Sequence, residues 1–379
     1  MDRDNIPGWV TYPGKEWVSI TAEQAGLNRD KFEAFISSVE AREASYGGED
    51  HSGNKWGVAL TRGGFLVHTW GDPNYKFQTA STGKNFGRAL VGLAIQEGLI
   101  EPDDLVRDTW TGEGQLSHSH KYLDHGHHKT LTWRHLLGDK YGMTQYHGFP
   151  VAIGGSFWKK GRAVLEREIA DKTLVELPMI NAQRTLPPKW AKWTGDPFYD
   201  NYAHAEPGTI GHYASGGFWR LSQALTALWN RDLKDVMDEK IMSKIGIPAN
   251  RWDWLPADIV RKDEFFYPGW PSMFNYLDPP FEIGGNIVRS GPGWVVITPS
   301  DYARFGHLVA TRGSWNGEQL IDPQWLRGHG GGNGSGVSGE SRHYTALAVV
   351  STLGINHVYA TARESFIPAD VFEGPVNLG

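Results

Sequence analysis

The chain contains no cysteine, so disulfide staples and thiolate nucleophiles play no part in it, and the redox compartment is left open. It has no block of basic residues either. With a formal charge of −6, it offers no electrostatic footprint for nucleic acid or an anionic membrane surface. No stretch approaches the roughly 18 consecutive apolar residues of a membrane-spanning helix. The opening residues Met1-Asp2-Arg3-Asp4-Asn5 lack the basic and apolar regions of a signal peptide. The expectation is a cytoplasmic protein, or an exported one whose leader is not part of this sequence. Three signatures of chemistry are missing as well. There is no G-x-S-x-G elbow, no G-x-x-x-x-G-K-[ST] phosphate loop and no His-Glu-x-x-His helix.

Tryptophan and glycine are abundant, with 17 Trp and 47 Gly in 379 residues. Trp is seldom fully buried, so this content indicates either aromatic-lined surfaces and clefts or an aromatic-rich core. The length allows a large core and two packed lobes.

Residues 1–27 are rich in Pro, Gly and Trp and read as an extended arm. Asn28 is a plausible N-cap for a helix from Arg29 to about Ala44, with Phe32, Phe35, Ile36 and Val39 on one face. Trp56–Leu60 and Phe65–Trp70, joined by Thr61-Arg62-Gly63-Gly64, predict a hairpin. An apolar helix ending near Glu97 follows. Further helices are expected at Thr132–Leu137, Gly161–Asp171, Gly217–Asn230 and Asp232–Ile245. Between them, residues 181–206 and 251–281 form aromatic loops too long for simple connectors. Gly293–Ile297 reads as a strand, Pro299–Thr311 as a helix capped by Ser300 or Asp301, and Tyr344–Thr352 as a buried strand. The pattern predicts a discontinuous α/β lobe, residues 1–85 and 282–379, interrupted by a helical lobe, residues 86–281. The cleft between such lobes is a default place for a site.

The chemistry centres on Gln78-Thr79-Ala80-Ser81-Thr82-Gly83-Lys84. Three-residue spacing on a helix puts Ser81 and Lys84 on one face, about 5–6 Å apart at Cβ. A hydroxyl beside an amine can yield a nucleophile at neutral pH without histidine, because an amine held away from water can act as a base. Alternatively, the pair are bystanders on an amphipathic helix. Far downstream, Pro207-Gly208-Thr209-Ile210-Gly211-His212-Tyr213 places a tyrosine in a small-residue loop ahead of a helix. A tyrosinate beside an ammonium can take the Ser81 proton and return it to a leaving group. The bland reading is an ordinary loop tyrosine.

Here the chain resembles the serine β-lactamase-like superfamily on its class C side, which includes class C β-lactamases, D-aminopeptidases, family VIII carboxylesterases and 6-aminohexanoate-dimer hydrolases. The resemblance runs through five segments in order. Gln78–Lys84 is similar to the S-x-x-K helix start, and Ala94–Ile100 to the end of that helix. Leu131–Leu137 matches the T.RHLL helix, Pro207–Tyr213 the segment before the catalytic tyrosine, and Gly293–Gly306 a strand and helix with the pattern G...T..D.ARFG.

The resemblance implies an α+β, β-lactamase/transpeptidase-like fold, an antiparallel sheet flanked by helices with an inserted helical lobe. It implies acylation of Ser81, proton shuttling by Lys84 and Tyr213, and a Ser81 backbone N–H forming half of an oxyanion hole. No metal or organic cofactor is implied. The family's second motif is Tyr-x-Asn, whereas this chain has Tyr213-Ala214-Ser215. Losing the carboxamide that meets the acylamide of β-lactams and peptides shifts the expectation toward esters. The third motif, Lys/His/Trp-x-Gly on a strand, is best matched by His329-Gly330-Gly331-Gly332, after a helix ending near Leu326. In that match His329 takes the basic position and Gly331 and Gly332 border the oxyanion hole. The alternative is a glycine loop without a role.

The run His118, His120, Asp124, His125, His127 and His128 has spacing that zinc sites use. It falls where the family has a variable loop, so a solvated loop is expected, and His135 reads as structural. Trp190, Trp193 and Trp270 sit in segments that border the family's cleft. They are expected either to wall an acyl pocket or to pack a lid. The expectation is a serine hydrolase of carboxylic esters, ahead of amides, with a small-molecule substrate and an open oligomeric state. A β-lactamase or D-amino-acid peptidase is the enzymatic alternative, and a catalytically silent acyl-ligand binder the alternative of another class.

Overall fold

The computed structural model describes residues 6–47, 56–79, 83–109, 129–137, 216–262, 280–291, 293–329, 343–351 and 367–379. In chain order these give α1 (Arg29–Gly47), β1 (Trp56–Arg62), β2 (Phe65–Gly71), β3 (Phe77–Gln78) and α2 (Lys84–Gln96). There follow α3 (Val106–Thr109), α4 (Trp133–Leu137), α5 (Gly216–Trp229), α6 (Leu233–Met237), β4 (Asp253–Trp254), α7 (Ala257–Lys262), β5 (Glu282–Ile283) and β6 (Asn286–Ile287). The last are β7 (Val295–Ile297), α8 (Pro299–Ala310), β8 (Ser314–Trp315), β9 (Glu318–Gln319), α9 (Pro323–His329) and β10 (Thr345–Ser351). The expected helix at Gly161–Asp171 and the loop 181–206 lie outside the described residues. The chain divides into two compact units: Met1–Asn85 with Val236–Asp253 and Gly293–Gly379, and Phe86–Asp235 with Trp254–Pro292.

The first unit is built on an antiparallel sheet with strand order β10-β1-β2. Its hairpin is tighter than expected. Thr61 and Arg62 continue β1 opposite Ala346 and Thr345, which leaves only Gly63-Gly64 as the turn. Their φ values of 58° and 89° are those of the type I′ turn that matches strand twist, and glycine adopts them without a Cβ penalty. The central strand is buried on both faces by two different sets of residues. Val58 and Leu60 join Phe32, Phe35 and Val39 of α1 in a hydrophobic core. α1 starts as expected, with Asn28 Oδ1 accepting from Lys31 N at 3.0 Å.

The opposite face carries small residues. Ala59 pairs with Ala348 and Thr61 with Ala346, while a Cβ on Gly57 would lie 2.8 Å from Pro299 Cγ. Such a face lets α8 lie close against β1 and β10.

Helix α8 is buried along all of its 12 residues, yet it carries Asp301, Arg304 and His307 at three-residue intervals. Each of these three side chains is met by a polar group of another segment, as buried polar side chains generally are. Arg251 binds Asp301 through two contacts, Nε–Oδ2 at 2.9 Å and Nη2–Oδ1 at 2.7 Å. Arg304 donates to the carbonyls of Pro13 (3.4 Å), Lys15 (3.0 Å) and Ile245 (3.2 Å). His307 Nε2 donates to Thr11 O at 2.8 Å. The N-terminal arm is therefore held at defined points, but it is not extended throughout: its last part coils into turns, with Ala25 N donating to Thr21 O and Leu27 N to Ala22 O, each at 2.9 Å. It also runs beside β2, with Ile20 N donating to Leu66 O and Leu66 N to Val18 O.

Two expectations about helices are corrected. The N-cap of α8 is Thr298, not Ser300 or Asp301. Its Oγ1 accepts from Asp301 N at 3.0 Å, because Pro299 at the first helical position needs no donor and fixes the entry there. The helix expected over Asp232–Ile245 divides into α6 and a π-helical turn at Asp238–Met242, where Ser243 N reaches back to Asp238 O. Asp238 Oδ1 also accepts from Trp252 Nε1 at 2.5 Å. The Arg251–Asp301 pair and the Arg304 bond to the Ile245 carbonyl tie 236–253 to α8 of the first unit.

The second unit gathers its described helices around α5, which packs against α3 and α4. Trp133, Trp219 and Trp254 are buried in it, so part of the Trp excess serves a core. Arg289 holds Asp232 with Nε–Oδ1 at 2.9 Å and Nη2–Oδ2 at 2.6 Å. Ser222 Oγ donates to Arg289 O at 2.6 Å. Gly291 lies so close to α5 that a Cβ there would fall 2.0 Å from Phe218 O.

Candidate active site

The segment that should carry the chemistry is fixed on both sides of Ser81. Upstream, β3 pairs antiparallel with β7, Phe77 opposite Ile297 and Gln78 opposite Val296. Thr79 N then donates to Val295 O at 2.7 Å. Downstream, Gly83 comes against Gly293. A Cβ on Gly83 would sit 2.9 Å from Gly293 Cα and 3.0 Å from Thr79 Oγ1. A glycine is required at that point because the obstacle is main chain, which cannot step aside. The following residue, Trp294, holds φ at 60° and is buried. A left-handed non-glycine residue is uncommon and persists only where its surroundings over-determine it.

α2 opens with Lys84 and runs KNFGRALVGLAIQ, so its body is apolar while its first turn is polar. Lys84 is 1% exposed and Asn85 4%. A lysine with a single charge and a long stem is almost never so buried without a partner, and Lys84 does make interactions in this structure. Asn85 Nδ2 donates to Tyr302 Oη of α8 at 3.2 Å. Tyr302 is fully buried and stacks on Phe305 at 6.0 Å.

Of the expected catalytic, oxyanion-hole and pocket residues, Lys84 is the one whose side chain is described. Ser81, Tyr213, Ser215, Gly331, Gly332, Trp190, Trp193 and Trp270 lie outside the described residues. His329 is the last residue of α9, so that helix continues three residues beyond Leu326, where the sequence reading ended it. His135 acts locally: its Nδ1 lies 3.1 Å from Thr132 Oγ1 at the start of α4. The run 118–128 is outside the described residues. Among the described residues no group of His, Asp and Glu is arranged to hold a metal ion. No described helix is long and apolar enough to cross a membrane.

Sequence reasoning passed over four residues at this site. Gly83 and Gly293 are separated by most of the chain, and Asn85 and Tyr302 carry no motif of their own. Only the polar character of the residue after Lys84, at the head of an otherwise apolar helix, hinted that Asn85 has a partner.

The fold, an antiparallel sheet with a helix on each face, is that of the β-lactamase/transpeptidase-like serine hydrolases. The beta-lactamase family model matches residues 45–352, and the chain belongs to that family. Among solved structures it is similar to one assigned as a 6-aminohexanoate-dimer hydrolase from Bacillus anthracis. The two are 14% identical over 90% of this chain and 81% of the other, with a TM-score of 0.46. It is also similar to the D-amino acid amidase of Ochrobactrum anthropi SV3, at 16% identity over 74% and 72% of the two chains and a TM-score of 0.40. A third is a β-lactamase/D-alanine carboxypeptidase from Pseudomonas syringae, at 16% identity over 78% and 70% with a TM-score of 0.44. No curated protein matches the chain.

Proposed function

We propose that this protein hydrolyses carboxylic esters through a covalent acyl-enzyme on Ser81. The observation that carries the reading is the burial of Lys84, 1% exposed at the head of α2, three residues after a serine in a member of this family. Removal from water disfavours a charged amine, and a neutral amine is what a base at this position requires.

In the reaction, the Ser81 Oγ–H gives its proton to the Lys84–Tyr213 pair as Oγ bonds to the ester carbonyl carbon. The carbonyl π electrons move to oxygen and form a tetrahedral oxyanion. The backbone N–H of Ser81 and one from the Gly331-Gly332 segment beyond His329 face that oxyanion. Each such donor is worth about 2.7–4 kcal/mol, because the charge it meets exists only in the intermediate. Collapse breaks the bond to the alkoxy oxygen, which leaves as an alcohol carrying the proton returned by Tyr213. Water then adds to the acyl carbon by the same route, its proton passes through the same pair to Ser81, and the carboxylic acid is released.

The preference for esters rests on Ser215, which stands where the family's asparagine carboxamide meets an acylamide. Trp190, Trp193 and Trp270 suit an apolar or aromatic acyl group. The test is intact-mass analysis after incubation with a fluorophosphonate, for the wild type and Ser81→Ala. One adduct on the wild type and none on the variant is expected; no wild-type adduct, or equal adducts, overturns the mechanism. Side-by-side turnover of a p-nitrophenyl ester and nitrocefin tests the substrate class, and faster nitrocefin turnover would reverse the assignment to esters.

A further inference from the structure

We infer that Asn85 and Tyr302 form a positioning pair that holds the first turn of α2 and thereby orients Lys84 for its role with Ser81. The inference rests on the Ser81–Lys84 reading above and adds to it the device that orients the lysine.

The argument starts from which element can serve as a reference. α8 is anchored at both ends and along its length. Thr298 caps it, Arg251 grips Asp301 in a bidentate pair, Arg304 reaches three main-chain carbonyls and His307 a fourth. Its outer surface is packed on β1 and β10. A side chain of α8 is thus a fixed point. Tyr302 Oη, fully buried, is the atom of that fixed point to which the head of α2 is hydrogen-bonded.

Two other contacts hold the chain near Ser81, Thr79 N to Val295 O and Gly83 against Gly293. Both are made by main chain before α2 begins. Neither acts on a side chain of the helix, whose body is held by apolar packing. The Asn85–Tyr302 bond adds a directional side-chain contact on the first turn, where packing alone is least specific about side-chain placement. Asn85 immediately follows Lys84, so the same turn carries both. At the helix surface, about 6 Å from the axis, a rotation of about 10° moves a side-chain tip by about 1 Å. A misplacement of about 1 Å can cost on the order of 100-fold in rate. Packing alone would have been served by an apolar residue at position 85. A buried amide that must be partnered restricts the helix to one orientation.

Tyr302→Phe removes the acceptor oxygen and keeps the ring. The expected result is a fall of about 10- to 100-fold in kcat for a p-nitrophenyl ester, KM within about twofold, a matching fall in the rate of fluorophosphonate labelling, and a displaced acid limb of the pH–rate profile. The double variant Asn85→Leu/Tyr302→Phe replaces both polar partners with apolar ones. It should regain thermal stability lost by the single variant and not regain kcat. Wild-type kcat and pH profile in Tyr302→Phe, or recovery of rate together with stability in the double variant, overturns the positioning role and leaves the Ser81 mechanism standing. Absence of any adduct on the wild type overturns both.

Discussion

The imidazole of His307 donates its Nε2–H to the carbonyl of Thr11 across 2.8 Å, inside a helix with no exposed residue. Tyr12 and Trp315 flank the ring at 5.7 and 5.6 Å. Burial, partly offset by the Thr11 carbonyl and reinforced by Arg304, pushes the imidazole pKa down from 6.5 to about 4.

A stability dependence on pH follows. The unfolded chain binds a proton at His307 below about pH 6.5, and the folded chain does not until about pH 4. Unfolding therefore takes up a proton in that window, and stability falls as pH falls through it, by roughly 3 kcal/mol in all. Urea midpoints measured from pH 7.5 to 4 should show a steeper acid-side loss for the wild type than for His307→Gln. Parallel curves for the two proteins would refute the assignment.

Arg289 and Asp232 meet at 2.6 and 2.9 Å with side chains 12% and 15% exposed. Removing one partner leaves the other charge without its counterpart, at about 3–5 kcal/mol. Arg289→Met should lower the urea midpoint accordingly, and Arg289→Met/Asp232→Leu should recover most of the loss. A double variant no better than the single one would place the cost in packing rather than charge.

Gly83→Ala pushes a methyl group against the main chain of Gly293 at 2.9 Å. The strain should cost about 1–3 kcal/mol and slow fluorophosphonate labelling, because the displaced residues flank Ser81. Labelling and stability at wild-type values would show that the contact yields without consequence.

Tyr213→Phe should leave folding intact and depress ester turnover by about 10²- to 10⁴-fold, the range associated with a positioned proton-transfer group. Steady-state kinetics together with the far-UV circular dichroism spectrum checks both halves. A near-normal rate removes Tyr213 from the mechanism.

What the sequence disclosed and what it concealed divide by range. Asn28 as a cap and the β1–β2 hairpin act on neighbours within a few residues, and both were legible, although the connector shrank from four residues to Gly63-Gly64. The spacing of Ser81 and Lys84 is equally local, which is why the site could be centred on it at all. The cap of α8 was misjudged by two or three positions, because Thr298, Ser300 and Asp301 all have capping side chains and only Pro299 discriminates between them. The π-helical turn at Asp238 was illegible. One inserted residue changes the hydrogen-bond ladder without disturbing the apolar pattern of Val236, Met237, Ile241 and Met242. The buried polar groups of α8 were hidden for another reason. Arg304 and His307 would ordinarily mark a solvated face, and their partners are carbonyls of the arm, which no residue pattern encodes.

The sheet order β10-β1-β2 also governs when this protein can become itself. Thr61 and Ala346 are neighbours in the sheet but 285 positions apart in the chain. At about 5–20 residues per second, synthesis separates them by on the order of 15–60 s. Throughout that interval β1 presents an unpaired edge, and the small-residue face that receives α8 has nothing to receive. The Gly63-Gly64 hairpin can form early, yet the α8–β10 side must wait for the last part of the chain. The first unit therefore completes its fold only after the second unit's whole sequence has been made, and the nascent strand edge is the point at which a chaperone or a neighbouring chain could intervene.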